Sequence, residues 1–532
     1  MRLLSLLADA QLEHGYLSEA TLRDLAQKAN VPLHRLQELV SFYPHFRITP
    51  PPRVELALCR DMACWLAGGA DSARRLKQLG GDVEVHEVSC IGRCANAPAG
   101  LLNGIPINVA DTDAVRVAAG ESATLPAFRL PPVRTWKCDP YPSAEARYRA
   151  IAAFLRPLDR DAAAENVIAT LKESGLRGMG GAGFPTGTKW ELVRNQKRSP
   201  KYVIGNADES EPGTFKDAKI LADVPHLVIE GMAIAARVVG AQKGILYLRH
   251  EYLLEKLRFE AALAEARKHG ILGQAFDIEV FVSPGGYILG EETALLEALE
   301  DRRGEPRNKP PFPGTHGLFG QPTLINNVET LALVPGILAR GADWWKGQGK
   351  NGCSGLKFVA VSGHVEKPGV YEIPMGTTVR ELIELAGGMK GGRALYAFAP
   401  GGASSNFLPA DRADVKLDFD ELATAGSMLG SGALVVVAAG TDLVALATNV
   451  VRFFRNESCG KCVPCRVGSQ KAVDLLEGVQ AGTLPRTALE VLPELGETMT
   501  LTSICGLGQV AVNPILSVMK NFPAVMNSLD HG

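Results

Sequence analysis

The 532-residue sequence predicts an α/β multidomain protein, and three observations carry that prediction. The chain exceeds what one hydrophobic core usually serves, so about three or four domains are expected at ~150 residues apiece. Between residues 146 and 345 strand-like and helix-like stretches alternate, which predicts a largely parallel sheet covered by helices. Eight of the ten cysteines stand in tight local groups, and in a large chain without an export signal such groups point to bound metal rather than disulfides.

Residues 1–50 carry leucines at helical spacing (Leu3, Leu6 and Leu7; Leu22 and Leu25; Leu33 and Leu36), broken by turn signals near Gly15 and Pro32. They predict a small helical cap. After Pro50, Pro51 and Pro52, alternating Val54, Leu56 and Leu58 predict a strand running into Cys59. A helix over 71–79 and a strand through Val83 and Val85 toward Cys90 complete a small α/β domain, 51–120. The proline-rich stretch 121–145, with Pro126, Pro131, Pro132, Pro140 and Pro142, reads as a linker.

In 146–350, strands are expected over 202–204, 245–248 and 278–282, with helices over 226–239 and 252–268 between them. In 351–440, strands over 358–361, 369–373 and 434–437 with a helix over 379–385 suggest a compact α+β module. Residues 441–532 read as mostly helical around four cysteines.

Composition narrows the function. A hydrophobic fraction of 46% and a charged fraction of 21% are those of an ordinary globular protein. Net charge −2 and pI near 6.6 leave no electrostatic footprint for nucleic acid or an anionic membrane surface. The longest apolar runs, such as 433–439, fall far short of the ~20 residues of a membrane span. Asp9, Glu13 and His14 interrupt the leucines after Arg2 before a signal-peptide core forms. A cytoplasmic protein without membrane insertion is expected.

Cys459, Cys462 and Cys465 are each two residues apart, so one short loop can place three thiolates at corners of a cluster, with Cys505 returning from afar as the fourth. That pattern suits a 4Fe-4S cluster; a four-thiolate zinc site is the rival. Cys59 and Cys64, then Cys90 and Cys94, lack the C-x2-C loops of most structural zinc sites and suit a 2Fe-2S cluster, with zinc again the alternative. Cys138 and Cys353 stand alone and receive no role.

A glycine string, Gly178 to Phe184 (GMGGAGF), contains G-x-G-x-x-G, but a helical stretch over 163–172 precedes it where a dinucleotide fingerprint needs a strand. Bare backbone N–H groups ahead of a helix can still meet a phosphate, and a tight turn is the plain alternative. Lys189 follows as either a fixed charge for a phosphate or an ordinary surface lysine. Beyond the first strand of the α/β region come Asn206, Asp208, Glu209 and Glu211, either an exposed turn or acceptors for ribose and ribityl hydroxyls. Gly285 to Glu292 forms a second glycine–acid segment after a strand, and two such loops suit a nucleotide crevice.

Six strings carry a resemblance: 175–187 (GLRGMGGAGFPTG), 206–215 (NADESEPGTF), 290–293 (GEET), 309–312 (KPPF), 325–330 (INNVET) and 457–465 (ESCGKCVPC). Over nearly the whole chain these segments resemble the NADH-binding flavin subunit of bacterial respiratory complex I, fused behind its thioredoxin-like 2Fe-2S partner. The resemblance implies a helical cap plus thioredoxin-like 2Fe-2S domain, a Rossmann-like FMN/NAD domain, a ubiquitin-like β-grasp insert near 356–440 and a C-terminal helical 4Fe-4S domain.

It also implies FMN against Gly178, Gly180, Gly181, Ala182, Lys189, Asn206, Asp208, Glu209, Tyr287, Gly290, Glu291, Asn326 and Asn327. NAD(H) is implied among Phe184, Glu211, Glu292, Lys309 and Phe312. The cluster assignments it implies agree with those from spacing. Met179 departs from the arginine of many complex I members. The acidic Glu211 and Glu292 favour NAD over NADP, whose extra phosphate they would repel.

The fusion resembles the diaphorase subunits of soluble NAD-linked formate dehydrogenases and bidirectional hydrogenases. The Gly-Met-Gly-Gly loop and the lack of a terminal ferredoxin extension look most like the formate dehydrogenase type. By that resemblance the chain exchanges hydride between NAD(H) and FMN and passes single electrons to or from iron-sulfur clusters. Its implied partner is a large molybdenum- or tungsten-containing formate dehydrogenase subunit with further iron-sulfur clusters, in a hetero-oligomer. Hydrogenase and complex I are the alternatives.

Overall fold

A computed structural model describes residues 2–78, 83–120, 132–155 and 159–527. Residues 121–131 of the expected linker, with Pro126 and Pro131, lie outside the described residues, as does Leu79 at the end of an expected helix. Three helices, Leu3–His14, Glu19–Ala29 and Leu33–Phe42, form the N-terminal cap. Its leucines pack on the α/β region, in one cluster with Leu295 and Leu299. The Leu4 amide donates to Asp301 at 2.9 Å.

The first sheet has the order β2-β1-β3-β4, from β1 (Val54–Cys59), β2 (Val83–Val88), β3 (Ala99–Leu102) and β4 (Ile105–Asn108). β1 and β2 run parallel, with Cys59 opposite Val88. The loop bearing Cys90 and Cys94 therefore leaves the same end of the sheet at which Cys59 lies. The helix expected over 71–79 is Gly69–Leu76 and covers the sheet with Ala73 and Leu76.

The second sheet, order β7-β6-β5-β8, is parallel throughout. Its strands are β5 (Tyr202–Ala207), β6 (Lys243–Leu248), β7 (Asp277–Val282) and β8 (Thr323–Asn327). Both faces are covered, as a parallel sheet requires. Val203 and Leu246 point toward the helices Pro225–Val239 and Val328–Arg340, while Ile204 and Tyr247 share a cluster with the helix Glu292–Leu299 and the cap. The two helices on the first face cross so closely that a Cβ on Gly231 would lie 2.1 Å from the Leu331 carbonyl oxygen. Because all four strands point the same way, their C-terminal ends present four loops to one edge, where α/β folds bind nucleotides.

The third sheet, order β10-β9-β13-β11-β12, is built from β9 (Leu356–Gly363), β10 (Gly369–Pro374), β11 (Leu395–Ala399), β12 (Leu408–Pro409) and β13 (Ala433–Ala438). The β9–β10 hairpin is antiparallel and β13 joins β9 in parallel, the topology of a β-grasp fold. The helix Val379–Leu385 lies in its core and begins with a capping box from Thr378 and Glu381. Beyond it come the helices Leu443–Asn456, Val463–Gln480, Leu492–Thr502 and Asn513–Asn521, followed by the short helix Pro523–Asn527. No helix among the described residues is long and apolar enough to cross a membrane.

Candidate functional site

The glycine string is a turn between the helices Arg160–Ser174 and Thr186–Arg194, not the strand-to-helix elbow of a dinucleotide fingerprint. The Gly178 amide closes it by donating to the Phe184 carbonyl at 2.8 Å. Met179 is buried and its amide donates to Thr330, so the apolar side chain points inward rather than into the crevice. A Cβ on Gly180 would stand 2.9 Å from that of Asn327, which holds the loop against the end of β8. Gly181 has φ +120°, and no atom lies within 3.4 Å of where its Cβ would be. Around Gly178 and Gly181 the nearest atoms to a built Cβ are backbone atoms at 3.4 Å or more, those of Phe184 and of Gly430 and Ser431, so the turn exposes backbone of the kind that meets a cofactor phosphate.

The three carboxylates after β5 are not crowded, because each turns to a different partner. Asp208 accepts from Ser210 at 3.0 Å and Ser283 at 3.4 Å. Glu209 caps the helix Lys216–Asp223, accepting from the amides of Asp217 and Ala218 and from the Tyr252 hydroxyl at 2.8 Å. Glu211 accepts from the amide and hydroxyl of Ser404, at 2.8 and 2.6 Å, in the β-grasp region. Burial pushes all three up: Asp208 to about 7, Glu209 to about 8 with Asp217 adding repulsion, and Glu211 to about 7. The Glu209 carboxylate is committed to the helix terminus and Tyr252 by these hydrogen bonds.

Asp208 carries a testable pH dependence. Its folded-state value lies above the ~3.9 of an unfolded chain, so its contribution to stability is intact below about pH 4 and lost as pH rises to about 7. Asp208→Asn cannot ionise and is expected to flatten that loss. Chemical unfolding of the flavin-free chain between pH 4 and 7 checks this, and equal pH slopes for the two proteins would contradict it.

Asn206 donates to the Gly290 carbonyl at 3.0 Å, tying the two glycine–acid loops together. Glu291 caps the helix Glu292–Leu299 and pairs with Lys309 at 2.8 Å. Lys189 lies 3.4 Å from Glu292. Burial opposes the charge of Lys309, but Glu291 and Glu292 raise its value on balance. Asn326 accepts from the Trp190 indole at 2.9 Å. Asn327 caps Val328–Arg340 and donates to Asp217 at 2.6 Å. Phe184 and Phe312 are exposed. Contacts thus join Asn206 to Gly290, Gly180 to Asn327, Glu291 to Lys309 and Lys189 to Glu292, several of these residues spending their polar atoms on each other.

Tyr287 follows Gly285 and Gly286, both at positive φ. A Cβ on Gly285 would strike the His45 ring of the cap, which stacks on His250 at 4.0 Å. The Tyr287 ring packs on Phe453 and Phe454. Its amide donates to Glu457 at 2.7 Å, and Glu457 also accepts from the Ser89 hydroxyl. One carboxylate thus joins the loop before Cys90, the flavin-side loop and the loop before Cys459. Sequence reasoning assigns Glu457 no role, although it opens the string 457–465.

Both cysteine groups converge. Cys59, Cys64, Cys90 and Cys94 are all buried. Cys90 and Cys94 lie 3.5 Å apart, and Cys59 makes side-chain contacts with Cys64 and Cys90. The amides of Gly92 and Ala99 donate to the sulfurs of Cys90 and Cys64 at 3.5 and 3.4 Å, the N–H···S bonds that suit thiolates carrying a cluster. Cys459, Cys462, Cys465 and Cys505 line one cavity with Ile288, Pro306 and Leu507. Cys459, Cys462, Cys465 and Cys505 thus share one cavity, a four-thiolate donor set that fits an iron-sulfur cluster.

Matches to family models agree with this layout. The Nuo51 FMN-binding domain matches residues 171–336, and the thioredoxin-like [2Fe-2S] ferredoxin matches 1–119, taking in the three cap helices. The SLBB domain matches 358–407, and the NADH-ubiquinone oxidoreductase-F iron-sulfur binding region matches 445–528. Fold and site together define an FMN-, NADH- and iron-sulfur-binding electron-transfer module.

The particular family follows from its relatives. An F-type subunit of the NADH-quinone oxidoreductase of Rhizobium meliloti (strain 1021) is 46% identical over 385 residues, 71% of this chain and 90% of the relative. The NADP-reducing hydrogenase subunit HndC of Solidesulfovibrio fructosivorans is 42% identical over 67% of this chain and 74% of its own. A chain of the NAD+-reducing [NiFe]-hydrogenase in the H2-reduced state superimposes with TM-score 0.87 at 34% identity, covering 99% of this chain and 93% of that one. The chain belongs to the family of NADH-quinone oxidoreductase F-type subunits and is part of an oxidoreductase.

Proposed function

We propose that the chain is the diaphorase subunit of a cytoplasmic NAD-dependent formate dehydrogenase, exchanging hydride between NAD(H) and FMN and passing single electrons to or from its iron-sulfur clusters. The observation that carries the electron-transfer core is the Glu457 bridge, because it sets both cysteine groups beside one glycine–acid crevice. When bound, FMN supplies the exchange between a two-electron hydride and single electrons.

On this reading Gly178, Gly180, Gly181 and Ala182 offer backbone, and Lys189 charge, to the phosphate. Asn206, Asp208, Glu209, Tyr287, Gly290, Glu291, Asn326 and Asn327 surround the flavin. Phe184 and Phe312 offer aromatic faces to NAD(H), and Glu211, Glu292 and Lys309 complete that pocket. Cys59, Cys64, Cys90 and Cys94 hold the 2Fe-2S cluster; Cys459, Cys462, Cys465 and Cys505 hold the 4Fe-4S cluster. Hydride exchange asks for no side-chain acid or base, so these residues bind, orient and exclude water.

The fused architecture suits both formate dehydrogenase and hydrogenase diaphorases, so formate rests on the Gly-Met-Gly-Gly loop, and the proposed partner is a large molybdenum- or tungsten-containing subunit. A second reading, the same module in an NAD-linked hydrogenase, is favoured by likeness to the hydrogenase chain over 99% of this one. Purification of the native complex separates them. Formate-dependent NAD reduction, with molybdenum or tungsten in the copurifying subunit, is the expected result. Hydrogen-dependent reduction with nickel overturns it, and a native chain that holds its iron but no FMN overturns the core.

A further inference from the structure

We propose that Arg249 is a positioning residue for the 2Fe-2S site, holding the Cys90 loop against the acidic loop after β5 and raising the reduction potential of the cluster through its buried positive charge. The inference rests on the reading of Cys59, Cys64, Cys90 and Cys94 as ligands.

Arg249 follows directly on β6 and is only 2% exposed. One terminal nitrogen of its guanidinium donates to the carbonyl of Glu209, in the acidic loop after β5, and the other to the carbonyl of Cys90. Its Nε edge pairs with Glu251 at 3.0 Å, and its plane lies 5.4 Å from the Tyr252 ring centre. A single planar fork thus joins the Cys90 loop to the acidic loop after β5. The neighbouring contacts reinforce the joint. Arg93, next to Cys94, pairs bidentately with Glu255 at 2.8 and 3.1 Å, and Tyr252 fills the space in front of Gly92, where a Cβ would meet its hydroxyl at 2.7 Å.

Burying a guanidinium is costly, and two carbonyls alone need no charged donor. The charge does act on the cluster. A four-thiolate 2Fe-2S centre gains one negative charge on reduction, so a fixed cation at Cys90 favours the reduced form. Glu251 offsets part of this, its second oxygen lying 3.3 Å from the same guanidinium nitrogen that donates to the Cys90 carbonyl, but the guanidinium is the charge in contact with that carbonyl and so the nearer one.

The test is a redox titration of the full chain with both clusters, followed by the electron paramagnetic resonance signal of the reduced 2Fe-2S centre. In Arg249→Met the ratio of reduced to oxidised cluster at a fixed potential is expected to fall about tenfold, a lowering of ~59 mV for a one-electron couple. Arg249→Lys should recover most of the shift, Glu251→Gln should move the potential upward, and the 4Fe-4S signal should stay in place. An intact cluster with unchanged ratio in Arg249→Met overturns the proposal. Should Arg249→Met lose the cluster, Glu251→Gln decides: an upward shift supports the proposal, and an unchanged or downward one overturns it. A wild-type chain with no 2Fe-2S signal overturns the ligand reading instead.

Discussion

Cys462→Ser is expected to empty the 4Fe-4S site while leaving hydride uptake by the flavin in place. The four cysteines come from two separate segments, 459–465, which runs into the helix Val463–Gln480, and the turn before the helix Gly506–Val510, and only together do they line the cavity. Removing one leaves three thiolates for a cluster that takes four. Even partners outside the ligand shell cost about 10–100-fold when lost, so electron transfer from NADH to an acceptor beyond the cluster should fall by at least about a hundredfold. Iron analysis should show about four fewer iron atoms per chain. Rapid-mixing absorbance of the flavin should still show reduction by NADH, and an equal loss of flavin reduction would break this division of labour.

Glu329→Gln is expected to cost about 3–5 kcal/mol, the range for breaking a buried ion pair from one side. Glu329 is fully buried and accepts from Lys357 at 2.5 Å and Lys216 at 2.9 Å, both lysines being buried as well. Its other oxygen accepts from the Phe358 amide at 2.9 Å. Glutamine keeps the shape and that last bond but turns its NH2 toward Lys357 and Lys216, which lose their shared acceptor as well as its charge. Burial already pushes Lys357 down to about 8, and without its carboxylate it should shed its proton more readily still. Lys216 keeps Asp217 at 2.6 Å. Urea unfolding at pH 6 and pH 9 measures the loss, which should be larger at the lower pH, where both lysines carry charge. A stability within about 1 kcal/mol of the wild type would contradict it.

The damage should also reach the flavin crevice. Lys216 and Asp217 contact Asn327, which lies against Gly180. Lys357 also donates to the carbonyl of Ser431, and Ser431 meets Thr214 beyond the acidic loop. This buried network fastens the β-grasp region to the floor of the site.

Sequence alone determined the features that are local along the chain. The period of two in β1, the continuous apolar runs of β5 and β6, and the spacing within each cysteine group are set by neighbours a few residues apart, and all were legible. The strand β8 was not, because its Thr323 and its final Asn326 and Asn327 hide a short buried strand among polar residues. The roles of Arg249, Glu329, Lys357 and Glu457 were equally invisible. Glu457 meets Ser89 across 368 residues, and Arg249 meets Cys90 across 159.

Only the tertiary structure decided which partner each carboxylate of the crevice takes: Glu209 and Glu291 a helix terminus, Asp208 and Glu211 serine hydroxyls, Glu292 a lysine. A buried polar group takes whichever partner packing brings within ~3 Å. That partner is set by how sheets and helices close on one another, and spacing along the chain carries no record of it.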